Sequence, residues 1–217
     1  ICVVGIGGVG SWVAESLARH GVGKITLIDM DHIVESNINR QIHALDSTDG
    51  ESKIKAMKDR IMDINPTCHV DCIDDFLEES NIESHISSRF DFIIDAIDQS
   101  SVKTSLAEYC QSKNLSLIMV GGAGGRVDPA KIKIADLSKT FGDPLLSNIR
   151  KHFNKKNKLS KSKYEIPTIF SDEPIIKSDA CETDLSGGGL SCDGYGSSLN
   201  ITATMAFYVV AYIFSKI

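Results

Sequence analysis

The chain opens Ile-Cys-Val-Val-Gly-Ile-Gly-Gly-Val-Gly, a β-branched run followed by Gly5-x-Gly7-Gly8-x-Gly10 and then a helical stretch. No other feature restricts the fold as strongly. Glycines at these positions let the backbone turn from a strand into a helix and come close to an anion, which the free amides at the helix start favour. The helix reads from Val9 to Arg19, with Val13 and Leu17, and Ala14 and Ala18, forming a buried stripe at i, i+4 spacing. Lys24 to Ile28 follow as the next strand. Strand, helix and strand in so short a stretch imply a β-α-β unit with a parallel pair.

The alternation continues. Ser52 to Ile64 form an amphipathic helix with Ile54, Met57, Ile61 and Ile64 on one face, stopped by Asn65-Pro66. Strands are expected at His69–Ile73, Phe92–Asp95 and Leu115–Val120, separated by helices from Ser80 and from Val102 to Ser112. Lys131–Ala135 reads as one more strand, and an apolar helix begins at about Leu199. The fold class is therefore α/β, a Rossmann-like doubly wound sheet, mostly parallel. Its 217 residues fit a single domain. Residues 1–135 read as a nucleotide-binding core, and 136–217 as an extension carrying a basic insert and the final helix.

Hydrophobic content of 42% and charged content of 24% are those of a soluble globular chain. The net charge of -6 argues against a protein that coats nucleic acid, and no DNA partner is expected, though a local basic patch is compatible with it. Six cysteines (2, 68, 72, 110, 181 and 192) form no CxxC pair and sit mostly in apolar runs, which points to reduced thiols and a cytosol-like compartment. Cys68, Val70 and Cys72 are expected on one packed face of a strand. The chain starts on a strand without an initiator Met, so it reads as a trimmed piece, and membrane or organellar attachment is left to whatever precedes it. The apolar run Ile201–Phe214 is 14 residues long, short for a membrane span and suited to a buried helix.

The glycine turn could hold NAD or ATP, and with Asp29 at the end of the second strand, where an acid bonds a ribose hydroxyl, it is by itself only a weak pointer to NAD. The next segment separates them. Asp29-Met30-Asp31 is followed by Asn37, Arg40 and Gln41, then by Lys53 on the next helix, and Asp98 follows the strand ending at Asp95. Cations for phosphates and a carboxylate for magnesium are the parts for handling a triphosphate, and hydride transfer needs none of them.

This ordered pattern (GxGGxG, D-x-D, N-x-x-R-Q, a Lys, an Asp) resembles the ubiquitin-activating superfamily, which includes the adenylyltransferases of molybdopterin and thiamine synthesis. The spacing agrees as well: Asn37 lies six residues after Asp31, and Lys53 twelve after Gln41. The resemblance implies that Gly7, Gly8 and Gly10 shape the ATP turn and that Asp29 holds the ribose. Asn37, Arg40 and Lys53 would contact phosphates, Asp98 would position Mg2+, and Asp31 and Gln41 would complete the nucleotide set. Asn37, Arg40, Lys53 and Asp98 are the catalytic candidates. Two features depart from the pattern. Asp98-Gln99 stands where those adenylyltransferases have Asp-Asn, and the helices that normally precede the first strand, with an arginine for a neighbouring subunit's site, are absent from this sequence.

Within that superfamily the chain resembles the tRNA threonylcarbamoyladenosine dehydratases. The resemblance rests on Asn39-Arg40-Gln41-Ile42-His43-Ala44-Leu45, Asp95-Ala96-Ile97-Asp98, Gly121-Gly122-Ala123-Gly124-Gly125-x-x-Asp128-Pro129, Asp143-Pro144-Leu145 and Phe170-Ser171-x-Glu173. It implies ATP-dependent cyclisation of N6-threonylcarbamoyladenosine in tRNA, with a homodimeric enzyme. The alternative is an adenylyltransferase that activates the C-terminal Gly-Gly of a ubiquitin-like or sulfur-carrier protein. Against it stand the missing CxxC pairs, which would hold a structural zinc, and the presence of a basic run. Arg150 to Lys163 holds seven Lys or Arg and no acid, and Arg150, Lys151, Lys155 and Lys156 are expected to contact tRNA phosphates. Cys192 reads as part of a structural loop, Cys181 is left open, and the histidines read as structural.

Overall fold

A computed structural model describes residues 1–156, 163–175 and 196–217, with the side chain of Lys156 excepted. Cys181 and Cys192, and part of the basic run, lie outside the described residues.

Seven strands form one sheet: β1 (Cys2–Val4), β2 (Lys24–Ile28), β3 (His69–Ile73), β4 (Ile93–Asp95), β5 (Leu117–Val120), β6 (Ile132–Asp136) and β7 (Pro167–Ser171). Their order is β3-β2-β1-β4-β5-β7-β6. All neighbours run parallel except β6 and β7, which are antiparallel. The helices are α1 (Gly10–Arg19), α2 (Lys53–Ile64), α3 (Ile82–His85), α4 (Ser100–Ser112), α5 (Pro144–Lys156) and α6 (Leu199–Phe214).

Successive side chains of a strand point to opposite faces, so a sheet covered on both sides needs apolar residues throughout. β1 shows this directly. Val3 joins the core under α1, α2 and α6, with Val13, Leu17, Met57, Met205 and Val209. Its neighbours Cys2 and Val4 join the core under α4 and α5, with Leu106, Ile149 and Phe153. Each such side chain contributes roughly 1.5–3 kcal/mol on burial. α6 buries Ile201, Met205, Val209 and Ile213 at four-residue spacing against α1 and the sheet. Among the described residues, no helix is long and apolar enough to cross a membrane.

The expected sheet is present, and three local expectations need correction. The helix expected from Ser80 is a single turn, Ile82–His85, because only Ile82 and Ile86 offer apolar anchors at i, i+4. No element is expected at the basic insert, yet Arg150 to Lys156 lie in α5, whose Leu146, Ile149 and Phe153 are buried among the charges. The third concerns Cys72, which is exposed while Cys68 and Val70 are buried, since β3 is an edge strand and only its first half is covered. β7 is a strand that the sequence pattern does not announce, although Ile169 and Phe170 are fully buried within it.

Candidate active site

β1 sits where the strand order reverses, with β2 and β3 on one side and β4, β5, β7 and β6 on the other. Ligands of open α/β sheets bind in the crevice beyond the carboxyl ends of the strands at such a point. A cleft of about 520 Å3 lies there, lined by Gly7, Gly8, Asp29, Asp31, Asn37, Arg40, Gln41, Lys53 and Asp98 among others. Nine of the sequence-predicted nucleotide residues thus face one space. Gly10 does not line it. It starts α1, where an added Cβ would stand 1.8 Å from the Gly5 carbonyl oxygen, so the turn closes only on glycine. A larger hollow, about 720 Å3, lies at the opposite end of the sheet around His20, Lys24 and Arg89, and none of the predicted residues lines it.

The turn is held from both sides. The Ile6 amide donates to Asp29 Oδ2 at 2.6 Å, and the Asp31 amide donates to Asp29 Oδ1 at 2.8 Å. Asp29 is nearly buried, and each of its oxygens keeps a lone pair for a further donor in the cleft. On the other side of Ile6, its carbonyl lies 3.0 Å from His43 Nε2. Burial and the nearby Lys53 charge push the His43 imidazole down to about 4. It is therefore neutral at pH 7, with its proton on Nε2 for Ile6.

That shift predicts acid sensitivity. The unfolded chain takes up a proton at the ordinary value of 6.5, and the folded chain only at about 4. The contribution is thus complete above about pH 6.5 and is lost as pH falls towards 4, amounting to about 2 kcal/mol by pH 5. Urea denaturation of wild type and His43→Gln at pH 7 and pH 5 should show the wild type losing that much more. Equal losses would move the acid sensitivity to the carboxylates.

Lys53 is the first residue of α2, and its Nζ lies 2.7 Å from Asp31 Oδ2. The lysine side chain is 8% exposed and the aspartate 52%, so the ammonium points inward towards the cleft and its partner stays hydrated. Arg40 follows a 3-10 turn, Glu35–Asn37, and its guanidinium donates to the Ser36 carbonyl at 2.7 Å and to Asn39 Oδ1 at 2.9 Å. Its backbone carbonyl accepts from Trp12 Nε1 at 3.0 Å, which ties this loop to α1. Asn37 Oδ1 accepts from the Val34 amide at 3.2 Å. Gln41 is buried and lines the cleft, and its Oε1 has no hydrogen-bond partner among the described residues.

Asp98 is exposed on the far rim, just past β4. Mg2+ takes hard oxygen ligands, and in nucleotide sites needs only one or two carboxylates beside phosphates and waters. The exposed Asp98 carboxylate on the rim of this nucleotide-sized cleft fits that mode. Among the described residues there is no group of three or more His, Cys, Asp or Glu that would hold an ion by itself.

Four parts of the cleft were not foreseen as site residues: Asp75 to Glu78 after β3, Gly121 to Gly124 after β5, Leu145 at the start of α5, and Ser197 with Thr202 of α6. The first two follow strand ends and were accessible to the rule about carboxyl edges. Leu145 and Thr202 carry no local signal. Of the expected tRNA contacts, Lys151 and Lys155 are exposed, whereas Arg150 is half-buried and donates to Thr140 Oγ1 at 2.6 Å.

The sequence signature of the ThiF family matches residues 1–171. The chain belongs to the ThiF family. Within it, the chain is 44% identical over 221 residues to a tRNA threonylcarbamoyladenosine dehydratase of Haemophilus influenzae, covering 100% of this chain and 85% of that one. It is 42% identical to the enzyme of the same name from Escherichia coli, with the same coverage. The crystal structure of E. coli tRNA N6-threonylcarbamoyladenosine dehydratase, TcdA, in complex with ATP superposes with a TM-score of 0.87 at 40% identity, over 99% of this chain and 84% of that one. Similarity to a molybdopterin-synthase adenylyltransferase of H. influenzae is lower, 30% over 154 residues, covering 67% of this chain and 62% of that one.

Proposed function

We propose that this ThiF-family chain is an ATP-dependent dehydratase that cyclises N6-threonylcarbamoyladenosine in tRNA. The observation that carries the reading is the convergence of Arg40, Lys53 and Asp98 on one cleft with the glycine turn, in a chain 44% identical to a dehydratase of that name.

The chemistry follows from what each residue can do. A carboxylate oxygen is a poor leaving group, so the threonine carboxylate must first be activated by ATP. Asp29 would hold the ribose, while the Gly7–Gly8 backbone and the amino end of α1 would receive phosphate. Asn37, Arg40 and Lys53 would stabilise the charge that shifts onto the phosphate chain, with Asp31 and Gln41 completing the nucleotide contacts. Mg2+, bound by Asp98 and phosphate oxygens, would screen the triphosphate. The carbamoyl oxygen then attacks the activated carboxyl carbon within the same molecule, favoured by proximity. The carbamoyl nitrogen gives up its proton, the bond from that carbon to the phosphate-linked oxygen breaks, and AMP or phosphate leaves with the oxygen, so that the nucleoside loses the elements of one water.

Residues 1–135 form the nucleotide-binding core of this proposal and 136–217 its tRNA side. Leu145 lines the cleft and the exposed Lys151 and Lys155 follow on the same helix. At 1.5 Å per residue, Lys155 stands about 15 Å along α5 from the cleft, within reach of a tRNA backbone. Lys156 and Arg150 belong to the same basic segment. A homodimer and a sulfur-transfer or carrier protein are further partners we infer from the family resemblance.

The test is nucleoside mass spectrometry of tRNA bearing threonylcarbamoyladenosine after incubation with protein, ATP and Mg2+. ATP-dependent loss of one water is expected. No loss of water, with AMP transferred to a Gly-Gly-ended carrier protein, would replace this reading by the adenylyltransferase one.

A further inference from the structure

A buried ionic cluster lies beside the cleft, and the proposed nucleotide chemistry makes no use of it. Arg126 follows the Gly121–Gly125 turn. Its side chain is 1% exposed and Asp143 is fully buried, with guanidinium and carboxylate 3.6 Å apart. The guanidinium also donates to the carbonyls of Gly122, Gly142 and Glu173. Asp143 Oδ2 accepts the Gly122 amide at 2.8 Å, and Oδ1 accepts the Leu146 amide, in the first turn of α5, at 3.0 Å. Glu173 Oε2 accepts the amides of Val127 and Asp128, both at 3.0 Å. Three segments far apart in sequence are thereby tied together: the turn after β5, the start of α5, and the residues just past β7.

Burying a guanidinium and two carboxylates carries a desolvation cost that apolar packing would avoid, so a ledger of stability does not account for them. Their geometry does. Gly121 to Gly124 and Leu145 line the cleft, and the cluster's hydrogen bonds end on the backbone of that turn and on the helix start carrying Leu145. The fit is close. A Cβ on Gly121 would stand 2.4 Å from Asp143 Oδ2, so the carboxylate reaches the Gly122 amide only past a glycine.

We propose that Arg126, Asp143 and Glu173 are positioning residues for the acyl substrate. They hold the Gly121–Gly124 wall so that the carboxylate to be activated lies against it and faces the phosphates, and they do not act on the nucleotide. The identity of that substrate rests on the dehydratase reading, whereas the wall's dependence on the cluster does not.

Asp143→Asn is the sharpest test, because it is nearly isosteric. Its amide nitrogen must face the Gly122 or the Leu146 amide, donor against donor. The kcat for dehydration should fall about tenfold or more, as small misplacements of reacting groups do, with ATP affinity within about twofold of wild type. Amide hydrogen exchange should quicken across residues 121–128 and stay unchanged across 5–10. Glu173→Gln keeps an acceptor oxygen, so it should recover most of the turnover that Glu173→Ala loses. Turnover within about twofold of wild type in Asp143→Asn, or loss of ATP affinity in parallel with kcat, would overturn the proposal. Exchange is read without substrate. If the wild type itself removes no water, the dehydratase reading fails, and unchanged protection at 121–128 in Asp143→Asn would still refute the cluster's hold on the wall.

Discussion

Lys53→Ala is expected to lower ATP-dependent turnover by about 10²–10³ while the protein stays folded, the usual loss when a preorganised charge on a transition state is removed. The two halves of that expectation have separate physical causes. Lys53 is the most buried cation lining the cleft, so no solvent-exposed neighbour replaces its charge there. Its partner Asp31 is 52% exposed, so the carboxylate left behind is rehydrated and the fold loses little. Arg40→Ala should act in the same direction. Among the described residues its guanidinium hydrogen-bonds to Ser36 and Asn39 of the loop that carries it, while the contact with Trp12 belongs to its backbone and survives the substitution. Lys53→Ala has a second signature, because the Lys53 charge helps hold the His43 imidazole down and its removal should let that group titrate at higher pH. Steady-state turnover by nucleoside mass spectrometry, with an NMR titration of His43, checks both. Turnover within threefold of wild type would remove Lys53 from the phosphate site.

The second large effect concerns stability. Lys103 and Asp95 form an ion pair 2.8 Å apart in which neither side chain is exposed. Lys103 Nζ also donates to the Asp95 carbonyl at 3.2 Å, and the Ile97 amide donates to Asp95 Oδ1 at 3.1 Å. The pair thereby shapes the turn from β4 to Asp98. Burial pushes the Asp95 carboxyl up, against the pull of Lys103. Lys103→Met would leave that carboxyl buried with the Ile97 amide alone, and the expected loss is about 3–5 kcal/mol. With the lysine gone, the folded carboxyl rises further and holds its proton, while the unfolded one ionises near its ordinary value. The loss should therefore be greatest at neutral pH and shrink as pH falls towards 4. Urea denaturation of Lys103→Met and of Lys103→Met with Asp95→Asn, at pH 7 and pH 4.5, tests this. The double variant should recover part of the loss at pH 7. A single-variant loss under 1 kcal/mol at pH 7 would mean that Asp95 is already protonated in the native protein.

The gathering of the proposed nucleotide residues on one cleft was legible in the sequence because that part is built by short-range rules. A glycine turn after an apolar strand, acids at the next strand end, and a lysine opening a helix are each local arrangements, and strand ends of a parallel sheet bring them to one edge. β6 was also legible as a strand, but not its antiparallel direction, since its partner β7 went unnoticed. β7 follows a basic stretch and begins at Pro167, a residue depleted in strands, so it reads as a continuation of the loop. α5 was hidden for a related reason. Its apolar residues alternate with lysines that dominate a linear reading, and only packing against the sheet shows which side of the helix matters.

What the sequence by itself determined was the doubly wound sheet, the position of the nucleotide turn, and the set of charged residues facing it. Those depend on backbone geometry and hydrophobic period, which act within a few residues. Tertiary structure alone decided the rest of the cleft. It placed Thr202 of α6 where a Cβ on Gly8 would meet it at 3.0 Å, brought Asp143 within 2.8 Å of the Gly122 amide 21 residues away, and sealed Arg126 where three carbonyls and a carboxylate converge. A fully buried charge is tolerable only when it is paired and hydrogen-bonded, and for Arg126 part of that set, the Asp143 carboxylate and the carbonyls of Gly142 and Glu173, comes from segments 16 to 47 residues away.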